Sequence, residues 1–258
     1  MNKILLLFLT IFLSFGRLSG QTGYYIPSER FSSSLISSLC QDKYGSIWIA
    51  TDYGLNRFDG YHFEIFLHDD KNPSSICNSS AVSLLCDREG RVWVGTNRGL
   101  DRFDEASDGF VHYPFPEGIR PRVSDLLQLA DGSILVATAG YGAFIVDREG
   151  RVSATDDYAD KNNNQYFGYV YLDSKGRYWK TGYDNTVVMK TGGKVSLLQS
   201  KGEPVGIVER GTDELLVVGL RGIMAYRDGK LVDAGIDKQT ERHDTSQLLK
   251  HLNFLFIC

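Results

Sequence analysis

The three tryptophans of this chain recur at one position of an internal repeat, and this repeat constrains the fold more than any other feature. Two copies read GSIWIAT at 45–51 and GRVWVGT at 90–96, and looser copies start at positions 132, 176 and 213. The fourth position of three copies holds Trp48, Trp93 and Trp179. Units that recur every roughly 40 to 50 residues indicate a solenoid, a propeller or an array.

The pattern inside each unit favours the propeller. Unit one contains four short apolar or alternating runs, at 36–40, 46–50, 55–58 and 63–66, and unit two contains four similar runs. Four strands per unit make one propeller blade, whereas a helical repeat needs longer amphipathic stretches. We predict an all-β fold, a β-propeller of four-stranded blades. Its five units, near 31–70, 78–115, 120–155, 165–200 and 203–235, either close as a five-bladed ring or belong to a seven-bladed one.

Turn residues precede the tryptophan strand. An aspartate can accept backbone hydrogen bonds at the first position of a turn, and a glycine three residues later can take a positive φ. A second glycine marks the next turn or a bulge. We assign structural roles to the positions that follow this pattern, namely Asp42, Gly45, Trp48, Gly54, Asp87, Gly90, Trp93, Gly99, Gly132, Asp173, Gly176 and Trp179. Each tryptophan is expected to face a neighbouring blade.

The first two units resemble the two-component regulator propeller repeat. In both, an Asp-x-x-Gly turn leads to an apolar-Trp pair, a threonine and a Gly-Leu-x-Arg-Phe-Asp segment, at 54–59 and 99–104. The resemblance extends more loosely over Ser34 to Gly235. It implies a propeller from the periplasmic sensing region of a hybrid sensor histidine kinase. Such regions are followed by further blades, a membrane helix and the kinase, and they sense breakdown products of complex glycans.

The resemblance implies a non-catalytic, extracytoplasmic propeller that senses oligosaccharides for a two-component signalling system. Kinase motifs are absent from the sequence, so we predict no enzyme activity and expect a truncated sensor. Two alternatives stay open: a periplasmic scaffold that binds a protein partner, and a carbohydrate-active enzyme of the sialidase type. Sialidase Asp-boxes carry Asp-x-Gly rather than the Asp-x-x-Gly of this chain, which disfavours the enzyme.

The two ends of the chain lack the repeat. Residues 1–20 combine a basic start, an apolar run and a small residue at Gly20, as in a cleaved signal peptide, so we expect a periplasmic location. We assign 21–236 to the propeller and 237–258 to an irregular tail. No other apolar run reaches membrane-spanning length. The net charge of −4 argues against a nucleic-acid partner.

The cysteines and histidines match no metal motif, and we predict neither a metal nor a cofactor. Cys40 and Cys86 fall in apolar runs, where we expect small buried side chains rather than a bridge. The disulfide state of these two residues and of Cys77 stays open. Solvated side chains are expected at the histidines in outer strands and loops, namely His62, His68 and His112.

One set of loops carries the candidate ligand-binding residues. The loop between the second and third strands of each unit contains a large side chain, and equivalent loops of a propeller share one face. These side chains are Tyr53, Arg98, Tyr141, Tyr183 and Arg221. Tyrosine and arginine can stack on sugar rings and hydrogen-bond to hydroxyls or carboxylates. The expected partners are an oligosaccharide and, for assembly, a second copy of the chain or a second propeller.

Overall fold

The computed structural model describes residues 32–155, 167–182, 185–210 and 214–235. Within them the chain forms five antiparallel sheets of four strands each, called blades 1 to 5 here in chain order. Each strand pairs with the next along the chain, so every blade is a simple meander. The predicted all-β propeller is confirmed. The predicted signal peptide and tail lie outside the described residues.

The strands of blades 1 and 2 agree closely with the predicted runs. They are β1 (Ile36–Gln41), β2 (Ile47–Thr51), β3 (Gly54–Phe58), β4 (Phe63–Phe66), β5 (Ala81–Cys86), β6 (Val92–Thr96), β7 (Gly99–Asp104) and β8 (Gly109–Tyr113). A short 3-10 turn, Pro116–Gly118, follows β8 on the way to blade 3.

Blades 3 to 5 repeat the same meander. Their strands are β9 (Arg122–Gln128), β10 (Ile134–Ala139), β11 (Ala143–Val146), β12 (Val152–Ala154), β13 (Phe167–Leu172), β14 (Tyr178–Gly182), β15 (Thr186–Thr191), β16 (Lys194–Gln199), β17 (Pro204–Arg210), β18 (Glu214–Gly219), β19 (Gly222–Arg227) and β20 (Lys230–Asp233).

The first strands of successive blades lie side by side: β1 beside β5, β5 beside β9, β9 beside β13, and β13 beside β17. In an antiparallel meander, alternate turns emerge at opposite ends of the strands. The loops between second and third strands therefore share one face with the blade-to-blade connections. We call this the upper face, and the face with the other turns the lower face.

An aspartate, half-buried in blade 1 and buried in blades 2 and 4, closes the first hairpin of each tryptophan-bearing blade. In blade 2, Asp87 Oδ1 accepts hydrogen bonds from the backbone N–H groups of Glu89 and Arg91, and Gly90 takes a φ of 78°. Asp87 Oδ2 accepts the indole N–H of Trp93 at 2.8 Å, a contact that turn chemistry alone does not predict. The same 2.8 Å contact joins Trp48 to Asp42 and Trp179 to Asp173.

Blade 3 lacks both members of this aspartate–tryptophan pair. Gly132 keeps the positive φ of the turn, at 88°, but Leu129 and Leu135 occupy the other two positions. A buried indole N–H without an acceptor is costly, so the tryptophan requires the aspartate. In blade 4, burial by itself raises the pKa of the Asp173 carboxyl, but hydrogen bonds from Trp179 and other donors outweigh it and lower that pKa below its usual value.

The core consists of apolar layers between neighbouring blades. Trp48 is fully buried and packs against Phe103 of blade 2, with ring centroids 4.8 Å apart. Trp93 belongs to a cluster that contains Val123 and Ile134 of blade 3. Trp179 meets Tyr226 of blade 5 edge-on at 4.9 Å. Each tryptophan therefore packs onto the next blade, as predicted, and large buried rings hold the propeller together.

The second hairpin of blades 1 and 2 has a two-residue loop. Thr51 pairs with Gly54, and Thr96 pairs with Gly99. Each threonine hydroxyl donates to its glycine carbonyl, at 2.8 Å and 3.0 Å, and the glycines take φ values of 131° and 146°. The tight-turn interpretation of these glycines is confirmed. Because the loop is so short, its second residue extends from the upper face.

Candidate functional site

Four of the five predicted ligand-binding side chains lie in described loops of the upper face. Tyr53 and Tyr141 expose 62% and 48% of their surface, and Arg98 and Arg221 are exposed as well. Tyr183 lies outside the described residues. The exposure fits ligand contact, and binding by these side chains stays a prediction.

Arg98 lines a cleft of about 380 Å³ at the upper end of blade 2. The loop between β6 and β7 forms one wall, and the connections that enter and leave blade 2 form the others. We call this the upper cleft. Its lining residues are His68, Cys77, Arg98, Gly99, Leu100, His112, Tyr113, Pro114, Phe115, Gly118, Ile119 and Arg120.

Aromatic and aliphatic side chains form part of this lining, and packing holds them in place. Tyr113 lies against Trp93 with ring centroids 4.8 Å apart, and Phe115 meets Phe144 edge-on at 4.9 Å. Phe115 is almost completely buried. The half-buried ring of Tyr113, held in this way, offers a rigid apolar surface on which a sugar ring can stack at low entropic cost.

Two arginines stand at the rim of the upper cleft. Arg98 and Arg120 are both exposed. Within residues 32–155, neither guanidinium group makes a hydrogen bond or an ion pair, so their donors are available to a ligand. A guanidinium group can bind a carboxylate through two parallel hydrogen bonds.

A buried carboxylate fixes His112 beside these arginines. His112 Nδ1 lies 2.6 Å from Asp101 Oδ1, and His112 Nε2 lies 2.9 Å from the carbonyl oxygen of Pro73. The hydrogen bond to Asp101 raises the pKa of His112 above its usual value. With an acceptor at each ring nitrogen, the doubly protonated, cationic ring satisfies both contacts.

The same carboxylate anchors the connection into blade 2. Asp101 Oδ2 accepts the backbone N–H of Cys77 at 2.9 Å, and Cys77 Sγ lies 3.1 Å from the hydroxyl of Thr96. Burial raises the pKa of the Cys77 thiol, which therefore stays protonated at neutral pH. Asp101 thus positions two of the residues that line the upper cleft.

The expectation of solvated histidines holds for His62, whose side chain is 87% exposed. It is wrong for the ring nitrogens of the other two histidines. His68 Nδ1 lies 2.8 Å from the carbonyl oxygen of Ile76, and its Nε2 lies 3.0 Å from Asp70. Hydrogen bonds with protein groups therefore fix His68, like His112, at the edge of the upper cleft.

The sequence pattern identified Arg98 but missed His112 and Arg120. Arg120 lies in a blade-to-blade connection, which the repeat does not describe. His112 had a detectable signal, because it is the cross-strand partner of Asp101 in the β7–β8 ladder. Asp101 is a charged residue within an apolar strand, and a basic residue opposite it indicates a buried charge pair.

A larger cavity of about 520 Å³ lies on the lower face between blades 1 and 2. Its basic side chains include Lys43 and Arg57. Lys43 Nζ lies 2.9 Å from Glu105, and Arg57 lies 3.3 Å from Asp108. Arg102, whose buried Nε has no hydrogen-bond partner among the described residues, lines this cavity and a neighbouring one of about 610 Å³. We take the upper cleft as the candidate ligand site because its two arginines are exposed at the rim and lack acidic partners in the described part of the chain, unlike Lys43 and Arg57.

Comparison with known proteins agrees with the repeated four-stranded blades of this chain. The sequence pattern of the two-component regulator propeller matches residues 30–53 and 75–98. The chain contains two-component regulator propeller repeats. A histidine kinase, P4 of Formosa agariphila, is 36% identical to this chain over 52 residues, which are 20% of this chain and 4% of that protein.

Solved structures share the fold of this chain. A crystal structure described as the extracellular domain of a hybrid two-component system from B. thetaiotaomicron matches 81% of this chain and 31% of that one, with a TM-score of 0.70 and 17% identity. A virginiamycin B lyase from Staphylococcus aureus matches 80% of this chain and 72% of its own, with a TM-score of 0.61 and 16% identity. At these identities the matches establish the fold alone.

The chain spans less than a third of the two-component extracellular domain that it matches. Among the residues that the structure describes, no helix has the length and apolar character needed to cross a membrane. The same residues contain no group of three or more histidine, cysteine or acidic side chains that could hold a metal ion.

Proposed function

We propose that this propeller is an extracytoplasmic, non-catalytic part of a two-component sensor that binds an oligosaccharide in the upper cleft. The observation that carries this proposal is the arrangement of the two rim arginines and His112 beside the ring of Tyr113, which packing against Trp93 holds in place. The repeat family and the two-component relatives support the sensor role. Binding in such a system changes the relation between propellers or protomers, and a membrane helix transmits that change.

The charge of the upper cleft favours an acidic sugar. Arg98 and Arg120 carry positive charge, and the hydrogen bond to Asp101 raises the pKa of His112 above its usual value. A uronic acid offers both a ring face for stacking and a carboxylate for the arginines. We therefore expect oligosaccharides that contain uronic acids to bind more tightly than neutral ones of the same length.

The test compares trigalacturonate with the neutral trisaccharide maltotriose. Titration calorimetry and the melting temperature report binding, because a ligand that binds only the folded state raises that temperature. We expect trigalacturonate to bind and maltotriose to bind weakly. Arg98→Ala should weaken the affinity by about 10- to 100-fold, since a hydrogen bond to a charged group contributes about 1.5–3 kcal/mol. Arg227→Ala, at an exposed lower-face arginine, is the matched control.

Several outcomes would contradict the proposal. Equal affinity of the Arg98→Ala and Arg227→Ala variants would exclude the upper cleft as the binding site. Loss of affinity in Tyr53→Ala and Tyr141→Ala would extend the site over the upper face, as the repeat predicts. Hydrolysis or elimination products would favour an enzyme, which the lyase-like fold allows, and co-purification of a protein would favour a scaffold.

A further inference from the structure

Two cysteines in neighbouring blades lie close together beside the propeller core. The strands β1 and β5 lie side by side, and the backbone N–H of Leu84 donates to the hydroxyl of Ser38 at 3.2 Å. Cys40 and Cys86 come two residues later in the same strands. Because side chains two residues apart in a strand share one face, the thiols point into the same gap between the blades.

The strand registers explain why the two thiols face each other. Cys40 pairs with Trp48, whereas Cys86 pairs with Val92, the residue before Trp93. The cysteines therefore occupy consecutive positions of the repeat rather than the same one, and consecutive positions point to opposite sides of a sheet. Cys40 points from blade 1 towards blade 2, and Cys86 points back.

Blades 4 and 5 show the same pair of positions in direct contact. Tyr171 of blade 4 corresponds to Cys40, because each pairs with the tryptophan of its own blade. Glu209 of blade 5 corresponds to Cys86, because each comes one residue after the partner of the tryptophan position, which Leu216 occupies in blade 5. The hydroxyl of Tyr171 lies 3.5 Å from Glu209 Oε2. The repeat geometry thus brings these two positions together at a blade junction.

The environment of the thiols agrees with this placement. Cys40 and Cys86 are both half-buried and pack against one cluster that includes Trp48 and Leu84. The hydrogen bond between the two side chains and burial both raise the pKa of the Cys40 thiol. A protonated thiol is a poor nucleophile, so spontaneous exchange at this site is slow and benefits from alkaline pH or a catalyst.

We propose that Cys40 and Cys86 form a disulfide that joins blade 1 to blade 2 when the chain meets an oxidising thiol–disulfide couple. With oxidised glutathione, one cysteine thiolate attacks the glutathione disulfide and releases one glutathione thiolate. The second cysteine thiolate then attacks the mixed disulfide and releases the other. One glutathione S–S bond breaks, one Cys40–Cys86 bond forms, and the two electrons lost by the cysteines reduce glutathione.

The test uses the full chain with Cys258→Ser, purified in reduced form. The protein is equilibrated with oxidised glutathione at about pH 8.5, near the ordinary pKa of a thiol. It is then quenched with acid, alkylated in denaturant and mapped by mass spectrometry. We expect a Cys40–Cys86 peptide, an alkylated Cys77, and a melting temperature above that of the reduced chain.

The single variants Cys40→Ser and Cys86→Ser are the controls. In each, the remaining thiol should be free or carry one glutathione, and the rise in melting temperature should be lost. Recovery of both thiols in alkylated form after equilibration, or of glutathione on each without an internal bond, would overturn the proposal.

Formation of this bond in the cell rests on the proposed extracytoplasmic location, because exported proteins meet oxidising conditions. The two ideas fail in different ways. A chain that stays in the cytoplasm would remove the proposed location and leave the bond formed with glutathione intact. A chain that does not form the bond with glutathione overturns the disulfide, wherever the protein is located.

Discussion

Replacing Asp87 with alanine tests whether the indole–carboxylate contact holds the blades together. The Asp87 side chain is fully buried and accepts four hydrogen bonds: from the indole of Trp93 at 2.8 Å, from the Arg91 side chain at 2.6 Å, and from the backbone N–H groups of Arg91 and Glu89 at 2.8 Å and 3.1 Å. Alanine removes every acceptor while the turn glycine and the tryptophan remain.

The expected cost follows from what each donor can do afterwards. Trp93 is 3% exposed, so its N–H loses its acceptor inside the core, at about 1–3 kcal/mol. The backbone donors of the turn each lose a bond that contributes about 1 kcal/mol. The Arg91 side chain is 36% exposed and can turn to water, so it adds little. We expect the free energy of unfolding to fall by about 3–5 kcal/mol.

Asp147→Ala provides a matched control within the same chain. Asp147 Oδ1 accepts the backbone N–H of Arg151 at 2.8 Å and Oδ2 accepts its Nε at 2.6 Å, with the same turn hydrogen bonds as at Asp87. The Asp147 side chain is 32% exposed and has no tryptophan partner. Its loss should cost about 1 kcal/mol, because both donors can reach water.

Urea unfolding, followed by tryptophan emission and far-ultraviolet circular dichroism, gives both free energies from the midpoint and slope. The difference between Asp87→Ala and Asp147→Ala isolates the indole bond and the burial of the carboxylate. A difference below about 1 kcal/mol would refute the reasoning, since an unpaired buried indole alone should cost more than that.

Two further results are expected. The pKa of His112 is raised in the folded state, so its ion pair with Asp101 stabilises the fold fully below the unfolded histidine pKa and loses this effect as pH rises through the folded pKa. The difference in unfolding free energy between wild type and His112→Gln, measured by urea titration, should therefore shrink from pH 6 to pH 9. A constant difference would contradict this reasoning. Gly95→Ala should lower the free energy of unfolding by about 1–3 kcal/mol, because an added Cβ would lie 2.2 Å from Ser83 Oγ and 2.5 Å from Val123 Cγ1. An unchanged urea midpoint would show that the packing between blades 2 and 3 can relax around the extra methyl group.

Some residues of the candidate site belong to the repeat, whereas others lie in the connections between blades. Arg98 follows from the sequence, because it occupies the second position of a two-residue hairpin loop that the repeat predicts. Arg120 does not, because it belongs to a connection without a repeated pattern. Blade 2 and the two connections that enter and leave it place Arg98, His112 and Arg120 around one cleft. The repeat pattern carries no information about the path of a connection.

By itself, the sequence determined the blades. Asp87, Gly90 and Trp93 act over six residues, so their spacing predicts the turn, the strand and the buried face directly. The tertiary structure alone decided which positions meet across a junction. The sequence does not connect Cys40 with Cys86, because they occupy different positions of the repeat. They face each other only because adjacent blades present opposite sides of their first strands. Contacts within a blade follow from local hydrogen bonding, whereas contacts between blades depend on how large rings pack one sheet onto the next.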